Sequence, residues 1–370
     1  MLSDRNFTLA LIHRLEMAPN AVPSLTTPLT SLLHIAHPIL LAGMAHTSTA
    51  PLASAVSNAG GLGVIGGLGY TPTQLRAMIH ELKASLSSPT LPFGVDLALP
   101  AVGGTARKTN HDYTKGLLSE LVDVIVEEKT TLFVSAVGVP PTNVIEKLHA
   151  GNVIVMNMVG HPRHAEKAFE AGVDIVCAQG GEGGGHTGEI SGNLLVPACV
   201  DVAGRYKPWM LEGAYGMVVA AGGIWDGRGL AGALGMGAVG VWVGTRFVAS
   251  SEAGCSRAHK EAVVSAGWQD TTRTLVVSGR PLRVKRNEYI AAWERKEDKV
   301  KELTEEGIVP MEHDMEEDRD VDFPFLMGMV AASIKDIKPA KQIVEDMVRE
   351  AVDMMRVTQG YIDGGRQSKL

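Results

Sequence analysis

The sequence predicts an α/β chain folded as a (β/α)8 TIM barrel with a C-terminal helical extension. Three observations predict it: eight short apolar runs, helix-length amphipathic stretches between them, and glycine clusters just after several of the runs. The runs cover residues 38–42, 62–66, 92–97, 132–137, 153–158, 174–178, 217–221 and 239–244. Each is almost continuously apolar, as expected of parallel strands covered on both faces. Apolar residues at three- and four-residue spacing over 71–85, 117–128 and 164–171 read as the intervening helices. Eight βα units point to a closed barrel before an open sheet. An open dinucleotide-binding sheet would carry G-x-G-x-x-G after an early strand, and the Gly66-Gly67-Leu68-Gly69 loop lacks that spacing.

Residues 1–35 read as a lead-in, mixing Asp4, Arg5, Arg14 and Glu16 with Pro and Thr and holding no apolar signal core. The barrel is expected over 36–295 and the helical extension, packed on the barrel, over 296–367. The final Ser368-Lys369-Leu370 matches the address read by the peroxisomal import receptor, so a peroxisomal location is expected.

A length of 370 residues fits one barrel domain, and 45% apolar with 20% charged residues supports a large buried core. The net charge of −7, with no basic block along the chain, excludes nucleic acid and an anionic membrane surface as evident partners. A small molecule is the expected ligand. Cys177, Cys199 and Cys255 match no zinc or disulfide spacing and read as free thiols. No apolar run reaches the ~20 residues of a membrane-spanning helix.

Barrel chemistry lies in the loops that follow the strands. After the sixth run, the segment 179–188 places five glycines in seven positions and ends on a single imidazole, His186. Such a loop brings backbone N–H groups close to a flat or anionic ligand. Ala221-Gly222-Gly223-Ile224 and Val243-Gly244-Thr245-Arg246 follow the seventh and eighth runs, where barrels commonly hold a phosphate. Ala42-Gly43-Met44 after the first run suits backbone contact with a ring edge, and Asp96 at the end of the third reads equally as a ligand contact or a helix cap. His46, His111, His161 and His164 form no metal-binding spacing and read as packed or surface groups, His161 being nearest to an exception because it follows the fifth run. Seven acids over 312–322 read as a solvated loop, and Cys177 as packing.

These pieces together resemble the nitronate monooxygenases, formerly 2-nitropropane dioxygenases. The resemblance rests on Ala42-Gly43-Met44, the stretch 53–63, the 179–188 loop, Ala221-Gly222-Gly223-Ile224, Gly244-Thr245-Arg246-Phe247 and Ser278-Gly279-Arg280-Pro281, in order over about residues 36–290. It implies an FMN-binding barrel with Ala42, Gly43, Met44 and Gln179 near the flavin ring. It also places Gly184, Gly185, Gly222, Gly223, Gly244 and Thr245 about the ribityl phosphate, and His186 as the catalytic histidine. Asp96 stands where many members carry Asn, and Gly183 where Ala is usual. The implied reaction is oxidation of an alkyl nitronate, or its parent nitroalkane, with O2 to a carbonyl compound and nitrite. A protonated His186 would stabilise the nitro oxygens, whereas a neutral one could remove the α-proton, and an ordinary imidazole pKa near 6.5 permits either. The alternative implied activity is NAD(P)H-dependent reduction of a quinone or enoyl thioester. A homodimer is the candidate assembly.

Overall fold

A computed structural model describes residues 22–99 and 108–362. Most of the lead-in, and the Ser368-Lys369-Leu370 tripeptide, lie outside the described residues. Eight parallel strands, β1 (Ile39–Leu41), β2 (Gly63–Gly66), β3 (Phe93–Ala98), β4 (Leu132–Ala136), β5 (Ile154–Val159), β6 (Ile175–Gln179), β7 (Met217–Ala221) and β8 (Gly240–Val243), form one sheet in the order β1-β8-β7-β6-β5-β4-β3-β2. Leu62 N donates to Ile39 O and Leu41 N to Leu62 O, each at 2.9 Å, so β1 and β2 join and the barrel closes.

Strand alternation divides the apolar residues into two layers. Leu40, Val64, Val134, Met156, Cys177, Val219 and Trp242 fill the barrel interior, whereas Leu41, Ile65, Val95, Phe133, Val155, Val176 and Val241 meet the helices outside. Helix Pro28–Leu33 plugs the N-terminal end with Leu29 and Leu33, both wholly buried, leaving the opposite end open.

The helices that follow the strands are numbered with them: α1 (Ala50–Asn58), α2 (Pro72–Ser85), α3 (Leu118–Glu127), α4 (Thr142–Ala150), α5 (Pro162–Glu170), α6 (Gly192–Ala203) and α7 (Gly227–Gly235). The start of α2 shows how local the instructions are. Thr71 Oγ1 accepts from Gln74 N while the Gln74 side chain accepts from Thr71 N, and Pro72 occupies the first turn. The last member of the outer ring, α8 (Ala340–Ile362), lies against α7 and α1. Between β8 and α8 run residues 244–339, including an antiparallel pair, Thr271–Thr274 with Leu282–Lys285, that adds Gly185–His186 as a third strand.

The acidic stretch is less solvated than its composition suggested. Residues Pro310–Glu316 are helical, and Asp314 is buried beneath Tyr289 Oη, Trp293 Nε1 and Arg319, which donate at 2.8 Å each. A neutral donor pair and one arginine make burial of this carboxylate tolerable, an arrangement that a run of acids conceals.

Outside the site, Glu128 clamps α2 to the end of α3. Its carboxylate meets Arg76 Nη1 at 2.7 Å, His80 Nε2 at 3.0 Å and Lys83 Nζ at 2.7 Å. Burial alone would raise its pKa, but the hydrogen bonds from Lys83, His80 and Arg76 outweigh it and hold the group at about 2. Glu128→Ala is expected to lower unfolding free energy by about 2 kcal/mol at neutral pH, read from the urea midpoint. Because the folded-state pKa lies below the ordinary carboxylate value, that contribution is present above it and is lost as pH falls towards about 2.

Candidate active site

A cavity of about 1340 Å³ opens at the C-terminal ends of the strands. Ala42, Gly43, Met44, Asp96, Gln179, Gly184, Gly185, His186, Gly222, Gly223, Gly244 and Thr245 all line it. The structure thus brings together every site residue read from the sequence. His161 and His164 stand on the wall beside α5, where His161 Nδ1 caps the helix by accepting from Arg163 N at 3.1 Å. Among the described residues no group of three or more His, Cys, Asp or Glu could hold a metal ion.

The glycine-rich loop is tied down. Gln179 Nε2 donates to His186 O at 2.9 Å, Thr187 Oγ1 to Gly180 O at 2.9 Å, and Arg283 to Gly181 O at 3.0 Å. The Gln179 amide nitrogen therefore secures the loop, while the residue also lines the cavity. Gly192 N donates to Glu182, and Met329 N donates to the Glu182 carbonyl at 2.9 Å, so the segment before α8 is held against the loop. A Cβ on Gly184 would come within 2.6 Å of Gly328 N, and one on Gly43 within 2.3 Å of the Asp96 side chain. Gly222 and Gly223 have φ of +83° and +76°, a left-handed turn that favours glycine and lines the cavity just after β7. Thr245 Oγ1 accepts from Gly328 N at 2.9 Å, linking the second glycine turn to the same wall.

His186 Nε2 lies 3.0 Å from Ser278 Oγ. Burial, reinforced by the positive charge of Arg280, pushes the imidazole down to about 4, so it is neutral at physiological pH. Arg280 donates to Asn110 Oδ1 at 2.6 Å and to Val137 O at 3.2 Å. Ser278, Arg280 and the 323–328 wall come from the segment after β8, far along the chain from the loop they complete. The motif Ser278-Gly279-Arg280-Pro281 was visible in the sequence, but nothing local assigned Ser278 to His186.

What this arrangement can do is move a proton at a neutral imidazole beside a glycine-lined cleft. The relatives have compatible names. A nitronate monooxygenase of Pseudomonas aeruginosa is 35% identical over 286 residues, 70% of this chain and 79% of its own. A (3aS,4S,5R,7aS)-5-hydroxy-7a-methyl-1-oxo-octahydro-1H-indene-4-carboxyl-CoA dehydrogenase of Mycobacterium tuberculosis is 37% identical over 267 residues, 72% of this chain and 68% of its own. Among solved structures, FabK from Thermotoga maritima superposes with a TM-score of 0.75 at 36% identity, covering 91% of this chain and all of FabK. The family pattern described as nitronate monooxygenase matches residues 26–350, nearly all the described chain. With the barrel, the glycine turns and His186 in that span, the chain is an oxidoreductase belonging to the nitronate monooxygenase family.

Proposed function

We propose that this enzyme is an FMN-dependent monooxygenase that converts alkyl nitronates, and their parent nitroalkanes, with O2 to a carbonyl compound and nitrite. The observation that carries the reading is the buried, neutral imidazole of His186, held by Ser278 at the edge of a glycine-built cleft. The cleft fits FMN on its own terms: Gly222, Gly223, Gly244 and Thr245 suit the phosphate, the rear is free of side chains that a Cβ would supply, and Asp96 Oδ1 is a buried polar atom in want of a partner. Bound FMN would supply the electron transfer between substrate and O2.

The chain's residues would do the rest. Ala42, Gly43, Met44 and Gln179 would border the flavin ring, and Gly184 and Gly185, with the glycine turns after β7 and β8, the ribityl phosphate; all of them line the cavity. The positive charge of Arg280 favours an anionic nitro group near His186. The tautomer that donates Nε2–H to Ser278 leaves the Nδ1 lone pair to take the α-proton of an un-ionised nitroalkane. A nitronate already lacks that proton and needs His186 only as a neighbour. The C-terminal Ser368-Lys369-Leu370 supports a peroxisomal setting for this oxygen-consuming chemistry.

A second reading, NAD(P)H-dependent reduction of an enoyl thioester or quinone, is favoured by one observation. Arg163 and Lys167 stand exposed at the cavity rim with His164, and neither forms an ion pair among the described residues, which suits the phosphates of a nucleotide-bearing ligand. The dehydrogenase relative acts on a carboxyl-CoA by name. One anaerobic experiment separates the readings. The FMN-loaded protein is mixed rapidly with propionate-3-nitronate or with NADPH while the flavin spectrum is followed. A fast spectral change with nitronate alone is the expected result; bleaching by NADPH at a catalytic rate, with nitronate inert, overturns the monooxygenase reading in favour of the reductase.

A further inference from the structure

Asp96 is a buried carboxyl group at the mouth of the barrel interior, and among the described residues no hydrogen bond or ion pair accounts for a charge on it. It is the fourth residue of β3, in register with Gly66 on β2 and Val134 on β4. Its carbonyl accepts from Gly67 N at 2.9 Å. Its side chain is only 6% exposed, makes no hydrogen bond among the described residues, and leaves Oδ1 buried and unpartnered. The helix-cap role that the sequence allowed is not observed. Gly43 lies so close that even a methyl group there would overlap the carboxyl, which fixes the side chain at the cavity wall beside the Ala42–Met44 turn.

The groups facing it cannot support a negative charge. Cys177 on β6 is a buried thiol, itself held neutral by burial. Glu182 accepts from Gly192 N, His186 meets Ser278 and Arg280 meets Asn110 and Val137, and among the described residues no titratable group on the cavity wall hydrogen-bonds Asp96. An isolated carboxylate in such a place is far costlier than its protonated form, so burial pushes the group well above the ordinary carboxylate range.

We propose that Asp96 works as a neutral carboxylic acid whose O–H donates a hydrogen bond to an acceptor on the bound flavin ring. A carboxylate at this position would only repel electron density; the acid supplies a donor, as a carboxamide would. The inference rests on the flavin reading above and adds the protonation state and role of one residue. It also requires that no proton be released from Asp96 when the flavin binds.

Infrared difference spectra of the flavin-loaded protein, wild type minus Asp96→Asn, test it directly. The expected result is a carboxylic-acid C=O band that shifts in D2O and persists through neutral pH. In parallel titrations Asp96→Asn is expected to hold FMN within about threefold of wild type, and Asp96→Leu, which is of similar size but has no donor, to bind at least about tenfold more weakly. A carboxylate band in wild-type protein that retains FMN overturns the inference alone, as does undiminished FMN binding by Asp96→Leu. Should Asp96→Leu not fold, the infrared band decides by itself. Failure of the wild type to take up FMN removes the flavin reading and this inference with it.

Discussion

Gly184→Ala is expected to weaken FMN binding by at least about tenfold, measured by quenching of flavin fluorescence on titration into the apoprotein. The added Cβ would stand 2.6 Å from Gly328 N and equally near the Met327 carbonyl carbon, backbone atoms that cannot swing aside as a side-chain tip could. Gly328 is held by Thr245 Oγ1, so a displacement there reaches the turn after β8 that the phosphate reading depends on. Either the glycine loop or the 323–328 wall must shift, and both border the cleft. Gly232→Ala is the control. It sits in α7 with nothing within 4 Å of its would-be Cβ, and FMN affinity there should be unchanged. Equal affinity for the two variants would show that the close approach at Gly184 has no part in forming the site.

His186→Asn is expected to divide the two substrates. Removing a base near an α-carbon should lower kcat/KM for a neutral nitroalkane by roughly 10²- to 10³-fold, and for the corresponding nitronate by less than about tenfold. The pH dependence follows from the depressed imidazole. Burial favours the neutral form, so wild-type turnover of nitroalkane should stay level from neutrality to about pH 5 and fall as pH drops through about 4. A decline centred near 6.5 instead would mean that the cleft leaves His186 as hydrated as a free imidazole. Equal losses for both substrates in His186→Asn would place the residue in a step common to both.

Much of the barrel is legible in the sequence because strands covered on both faces must be apolar throughout. Residues 217–221 are the clearest case, an unbroken apolar run with observed bounds of Met217–Ala221. Strand ends elsewhere differ by one residue, as at β5, whose ladder runs on to Val159. That Gly43, Gly222, Gly223 and Gly244 line the cleft was legible for a related reason: each stands just after a barrel strand, at the end where the cavity opens.

What the sequence hid lies in long-range contacts. Thr271–Thr274 reads as a polar segment with no buried face, and only its pairing with Leu282–Lys285, then with Gly185–His186, explains it. The partnership of His186 with Ser278 spans ninety-two positions, and no local periodicity encodes such a distance. Asp314 was lost among its acidic neighbours because burial depends on Tyr289 and Trp293, which arrive from another helix.

The position of α8 bears on how the chain folds. The outer ring is completed only by residues 340–362, yet the helices it covers, α1 and α7, and the strand that closes on β8, β1, are made much earlier. Until that last helix is available, the apolar stripes of α1 and α7 have no cover, so an unfinished chain must expose them. Contacts of such sequence separation are slow to form and leave partly folded species sticky. Completion of this barrel therefore waits until residues 340–362 have been made, and a chain that has β8 but not yet α8 is the species most exposed to aggregation.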